Sequence, residues 1–414
     1  MRLASSKKEE DIVLLAGVSS VDITPAPGSP MACFPEAPNR PRRAIGAHDP
    51  LKATALVLDD GQTTVAIVAC DLTAVHRIDV ERIRAHVSSQ VSALSGPRVL
   101  IAASHTHSSV ENCYLFGNTP EDPFVIEMDR RIAGAVLDAF AARQPARLAV
   151  GKSRIELNHN RRVIGPDGKA SLVPEYQPGV TEGPCDPELY VLRLDGERGD
   201  VRAVCFNYTA HALTVGPANR FYTADYPGVA RDVVEAAFPG CAALFLNGAA
   251  GNVHPRQCMR ADFQAMEATG GLLGRAVVET AKNANVLRDA SLQLETDTLR
   301  FHNRVDPSLE VVVEVSCLRL GTVVMAFVPG EVFVEFQIQF KSELSPAPAI
   351  FVGYANGWPG YIPTKEAYTY GGYGVELCTM DPPEFSRTAL PKGAGEIILQ
   401  KCIELAKRLN TATA

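Results

Sequence analysis

The stretch RVLIAASHTHS, residues 98–108, runs from an unbroken apolar segment straight into a polar cluster that carries two histidines. A short apolar run bounded by turn signals is the pattern of a strand buried on both faces. Upstream, Ala53 to Leu58 and Thr64 to Ala69 read as two more strands. The turn Asp59-Asp60-Gly61 between them is a hairpin signal. Val80 to Leu94 has helical spacing, and Phe124 to Ala142 repeats its apolar residues at three and four, the mark of an amphipathic helix. Residues 64 to 150 therefore read as a βαβ unit.

The same alternation continues along the chain. Val201 to Phe206 and Ala242 to Phe245 are buried strands, with helices expected over Tyr226 to Ala237 and Phe263 to Lys282. Residues 151 to 187, richer in Gly, Pro and charge, read as excursion loops. Residues 291 to 328 are β-rich, a helix is expected near Glu331, and another over Ala394 to Leu409. The fold class is α/β, with mixed β-sheets flanked by helices. Without repeat or linker, residues 12–414 read as a single catalytic domain behind a polar tail of residues 1–11.

Composition narrows the function. The 414 residues are 46% hydrophobic and 21% charged, ordinary for a globular chain. A net charge of -7 offers no attraction to nucleic acid. No apolar run nears the roughly 20 residues that span a bilayer, so no transmembrane segment is expected. Without an apolar leader at Met1 to Asp11, the chain reads as cytoplasmic. The ten cysteines are scattered without a CxxC pair and read as small buried hydrophobes rather than as disulfides or a cysteine zinc cluster.

Four segments carry candidate chemistry. His105 and His107, two apart on an extended segment, would face the same side; an HxH reads equally as ligands or as hydrogen-bonded loop histidines. His211 in FNYTAHAL follows a buried strand, where a lone histidine is more often a satisfied core residue. Glu331 in VPGE follows another, and its bland reading is a helix-start carboxylate. GYANGWPGYIPTKEAYTYGGYG, residues 353–374, holds five tyrosines and the only tryptophan, Trp358, which suits a pocket lining. Each follows a strand, and ligands gather at strand ends in α/β folds. Two His, one Glu and a further oxygen suit zinc.

These blocks, in this order, resemble the neutral/alkaline ceramidase family. GVSSVDITP is similar to its opening signature, SHTHS to its Thr-His-Thr-His-Ser stretch, and FNYTAHAL to its strand-end histidine. ADYPG, PGE and GYIPTKEAY…YGGYG match later blocks, and LNGAAGNVHP stands where the family has Gly-Asp-Val-Ser-Pro. The resemblance spans about Leu15 to Tyr373 and implies a neutral-ceramidase-like catalytic domain. It implies Zn2+ held by His105, His211, Glu331 and Tyr361, with His107 as general base and acid. Tyr373 would stabilise the oxyanion, and Arg161, with Arg162 as its neighbouring alternative, would line the site.

The family serine and aspartate that meet the substrate headgroup are replaced here by His254 and Asn252, which are therefore expected at the substrate, and SVENCY replaces a glycine-rich stretch. Only Asp381 to Ala414 follows the resemblance, so a soluble N-acyl amine is expected as much as a lipid-like amide. Self-association into a homo-oligomer is compatible with this reading. The expected function is a zinc-dependent amidohydrolase. A metal-dependent esterase or lactonase and a non-catalytic metal-binding protein are the alternatives.

Overall fold

The structure is a computed structural model that describes residues 14–37, 40–115, 118–376 and 390–411. The expected tail and Cys378 lie outside the described residues. A large mixed sheet runs, edge to edge, through Ala242–Asn247, Val201–Tyr208, Glu188–Gly196, Gln144–Arg154, Leu15–Asp22, Lys52–Asp59, Thr64–Cys70 and Val99–Ala103. Asn285–Val286 adds a short ninth strand beside Gln144–Arg154. The outermost pairs, 201–208 with 242–247 and 64–70 with 99–103, are parallel, and the pairs between them are antiparallel. A second sheet joins Leu292–His302, Glu310–Leu320, Val323–Phe327 and Ala349–Val352.

Strands that are apolar on both faces explain the stacking. In Thr64–Cys70, Ala66, Val68 and Cys70 face one cluster, while Val65, Ile67 and Ala69 face another. Period-2 alternation splits each strand in this way. The first set meets helices Arg77–Gln90, Pro123–Ala141, Asp225–Ala237 and Gln264–Lys282. The second meets Leu318, Leu320, Met325, Phe327 and Ile350 of the small sheet. The outer face of that sheet, with Val313, Val315, Ala326 and Phe351, is covered by Val334–Leu344 and Ala394–Thr411. The order of layers is helix, sheet, sheet, helix.

Most expected elements are present within a few residues of their expected ends, including the hairpin and the βαβ crossover into Val99–Ala103. One expectation is corrected. Residues 151–187 are not all loop: the strand from Gln144 runs on to Arg154, and short strands follow at 158–160, 162–164 and 170–172. Cross-strand pairing with Glu188–Gly196 outweighs the local polar composition. The helix expected near Glu331 is present and starts three residues later, at Val334. Gly330 adopts a left-handed turn at φ 81, and Glu331–Val332 pair in parallel with Tyr361–Ile362 before the helix starts at Val334.

Of the nine described cysteines, all but Cys33 and Cys185 are buried. Burial pushes Cys205 and Cys402 up to about 12, so they act as apolar filler. No described helix is long and apolar enough to cross a membrane.

Leu318 is fully buried between the sheets. Leu318→Ala should lower the unfolding free energy by about 2–5 kcal/mol, while Ile397→Ala on an exposed helix face should change it by roughly 0.5 kcal/mol or less. Urea unfolding of both variants checks this contrast.

Candidate metal centre

The two edge strands of the large sheet approach each other at their C-terminal ends. Asn247 Nδ2 donates to the Ser104 carbonyl at 3.0 Å. Gly353 N donates to the Asn247 carbonyl at 3.0 Å, and Ala355 bridges Ala102 in antiparallel sense. The segment 353–356 thus joins both edges and gathers the loops that follow four separate strands.

His105 follows Val99–Ala103, His211 follows Val201–Tyr208, Glu331 follows Val323–Phe327, and Tyr361 follows Ala349–Val352. His105 and His211 bring their Nε2 atoms to 3.3 and 3.4 Å from the same oxygen, Glu331 Oε2. Tyr361 stands opposite Glu331 in their short parallel pair. His105, His107 and His211 offer nitrogens all within 4.8 Å of one another, so this buried group could hold a metal ion.

The two histidines of the HxH meet in a different way from the one expected. His105 is not extended but left-handed, at φ 66. Such a conformation is costly for a residue other than glycine and persists where its surroundings impose it. Here His105 Nδ1 lies 2.6 Å from the Thr73 carbonyl, and its ring stacks on Tyr354 at 4.2 Å. His107 Nε2 lies 3.2 Å from His105 Nε2. The loop is tied to the next one by His107 N donating to the Ala212 carbonyl at 3.2 Å.

Protons decide what the cluster can do. A ring nitrogen facing a carbonyl must carry hydrogen, so His105 and His211 are protonated at Nδ1; His211 Nδ1 lies 2.7 Å from the Ala250 carbonyl. Their Nε2 atoms are then bare lone pairs directed at a carboxylate oxygen. His211 Nε2 and Glu331 Oε2 are both buried without a hydrogen-bond partner among the described residues. Burial, then the Arg161 charge, lowers His211 to about 3, so the ring stays neutral. Lone pairs and a carboxylate facing one another in a buried site fit a bound cation.

His107 differs from the other two. Its Nδ1 is buried without a hydrogen-bond partner among the described residues, and its ring tilts against Phe34 at 5.5 Å. Burial, reinforced by His105, pushes its pKa well below the usual value. A cavity of about 80 Å³ opens over His105, His107, Glu331, Tyr361 and Tyr373. Phe34, Leu115 and Trp358 give it an apolar wall.

Of the two arginines, Arg161 is the one bonded to a cavity-lining side chain, though it is not itself among the lining residues. Its Nη2 donates to Tyr361 Oη at 2.9 Å, and its guanidinium carbon lies 5.1 Å from the Tyr373 ring centre. Arg162 holds the same loop by its backbone, donating to the Tyr373 and Gly371 carbonyls at 2.7 Å each. Asn252 and His254, expected at the substrate, are not among the residues lining this cavity. Asn252 Oδ1 accepts from Val334 N and its Nδ2 donates to Glu335, so it caps the helix that follows Glu331. His254 is bonded behind the site, to Arg161 and to the Pro174 carbonyl.

Several contributors escaped the sequence reading. Arg42 is buried and donates to four carbonyls, among them those of Ala32 and His107 at 3.0 Å, fixing the pocket wall to the histidine loop. In RPRR it reads as surface charge. Thr73 and Tyr354 orient His105 through contacts that no spacing reveals. SVENCY supplies Glu111, which lines the cavity and accepts from the backbone N–H groups of Leu115 and Asn118.

Gly251 packs against the backbone of Glu331, where a Cβ would collide with the Glu331 carbonyl and meet the Val332 oxygen at 2.8 Å. Gly251→Ala should weaken metal affinity by about 10-fold or more while the protein stays folded. Chelator competition followed by metal analysis, alongside circular dichroism, tests this.

No protein-family model matches the sequence. Among solved structures, the chain is similar to a crystal structure of neutral ceramidase from Pseudomonas aeruginosa, with TM-score 0.75 and 15% identity over 97% of this chain and 75% of that one. It is equally similar to a ceramidase complexed with C2, with TM-score 0.75 and 15% identity over 97% of this chain and 76% of that one. At this identity the likeness is one of architecture: the chain has the mixed α/β fold of the neutral ceramidases.

Proposed function

We propose that this chain is a zinc-dependent hydrolase that cleaves an N-acyl amide. The observation that carries this reading is the meeting of two bare imidazole nitrogens with one buried carboxylate oxygen, at 3.3 and 3.4 Å. Imidazole and carboxylate donors suit zinc, and the fold neighbours are ceramidases by name. His105, His211, Glu331 and Tyr361 would hold the ion. His105 and His211 each have a carbonyl on the far ring nitrogen, the usual support of a metal-bound histidine, and the His107 Nδ1 has none among the described residues.

Zinc, when bound, lowers the pKa of water toward about 7 and polarises a carbonyl. The chain's own side chains supply the rest. His107 takes a proton at a ring nitrogen from the attacking water and returns it to the departing amine. Its lowered pKa keeps it neutral at physiological pH, the state a base needs. The Tyr373 hydroxyl, at the same cavity, donates to the oxygen that gains charge as the carbonyl becomes tetrahedral. Arg161 holds the Tyr361 oxygen in place from behind. The apolar wall of Phe34, Leu115 and Trp358 excludes water from one arm of the substrate. The products are a carboxylic acid and an amine.

Two variants test this division of labour. His211→Ala should abolish metal content and hydrolysis together. His107→Ala should keep the metal and lower kcat by about 10²–10⁴-fold. Metal analysis and a panel of N-acyl amines with matched esters read both. Loss of zinc from His107→Ala but not from His105→Ala reverses the assignment. Retained zinc with no turnover on any acyl substrate overturns the hydrolase reading.

A further inference from the structure

Arg161 is 3% exposed and makes no ion pair with a carboxylate among the described residues. A buried guanidinium keeps its orientation only through the acceptors around it. Three surround this one. Nη2 donates to the Gly251 carbonyl at 2.6 Å and to Tyr361 Oη at 2.9 Å, and Nη1 donates to His254 Nε2 at 2.7 Å. His254 is fixed in turn: its Nδ1 lies 3.0 Å from the Pro174 carbonyl and 3.3 Å from Cys258 Sγ. The carbonyl places the proton on Nδ1 and leaves Nε2 as an acceptor. Burial, followed by the Arg161 charge, keeps the ring neutral. The pairing of Val253–Pro255 with Asn158–Asn160 sets His254 and Arg161 on adjoining strand segments.

We propose that His254 is a positioning residue: by holding Nη1 of Arg161 it turns Nη2 onto Tyr361 and sets the hydrogen bond that the phenol oxygen receives beside the metal. The imidazole reaches the guanidinium across the short strand pair. A serine, with its hydroxyl one bond from Cβ, stops short of it. The histidine in LNGAAGNVHP therefore acts on the Tyr361 oxygen rather than on substrate. This proposal rests on Tyr361 being a metal ligand.

The test uses copper(II)-loaded protein, in which a coordinated phenolate gives an optical charge-transfer band that Tyr361→Phe removes. His254→Phe keeps a ring but loses the acceptor, and His254→Gln keeps an acceptor. His254→Phe should move the band to lower energy, because a phenolate relieved of a hydrogen bond gives up its electron more readily, and should weaken zinc affinity by about 10-fold. His254→Gln should restore the wild-type band and bring zinc affinity back to within about 2-fold of wild type. A band unchanged in a folded His254→Phe protein overturns the proposal, whatever happens to its melting temperature. If that variant fails to fold, a His254→Gln band as far displaced as that of Arg161→Lys overturns it. Absence of the band from wild-type protein overturns the Tyr361 ligand assignment first, and this proposal with it.

Discussion

Two buried imidazoles turn the ring nitrogens that face away from their backbone carbonyl partners toward one buried carboxylate oxygen. In isolation that arrangement is repulsive, since three electron-rich atoms face each other at 3.3 and 3.4 Å. The protein imposes it from behind. The Thr73 and Ala250 carbonyls hold the far ring nitrogens, and the pairing of Glu331 with Tyr361 fixes the carboxylate. The strain at His105, with its positive φ, is part of the same imposition. A cation converts the repulsion into attraction, so the folded chain is complementary to an ion.

The support for this centre is mostly backbone and mostly buried. Arg42 gathers carbonyls from the pocket wall and the histidine loop, and Asn252 fastens the glycine loop to the helix beyond Glu331. Thr73 Oγ1 donates to the Thr106 carbonyl at 2.7 Å and steadies the loop between the two histidines. These groups touch no reacting atom. They determine whether those that do are held to the fraction of an ångström that chemistry requires.

The sequence carried much of this, and the reasons for what it hid are physical. Strands such as 64–70 and 99–103 were legible because a run apolar on both faces has few other ways to be buried. His105, His211 and Glu331 were legible as strand-end residues in a recurring order. The turn at His105 was not, because it answers to Thr73 and Tyr354 rather than to its neighbours in the chain. Glu331 looked like a helix start because Pro-Gly precedes it, yet its pairing partner lies thirty residues downstream. His254 and Asn252 looked like substrate contacts because they replace polar residues of a motif. Only distances show that their donors and acceptors are already taken.

The segment 353–356, which stitches the two edges of the large sheet together, bears on how the molecule is made. Asn356 Oδ1 accepts from Ile101 N across 255 positions of sequence, and Glu331 stands 226 residues beyond His105. Closing such loops is slow and comes late. Until that seam forms, the histidines and the carboxylate are on unconnected parts of the chain. An ion would therefore meet its full set of ligands only once that seam is closed. A bound ion would hold the closed seam together and make the native state harder to open.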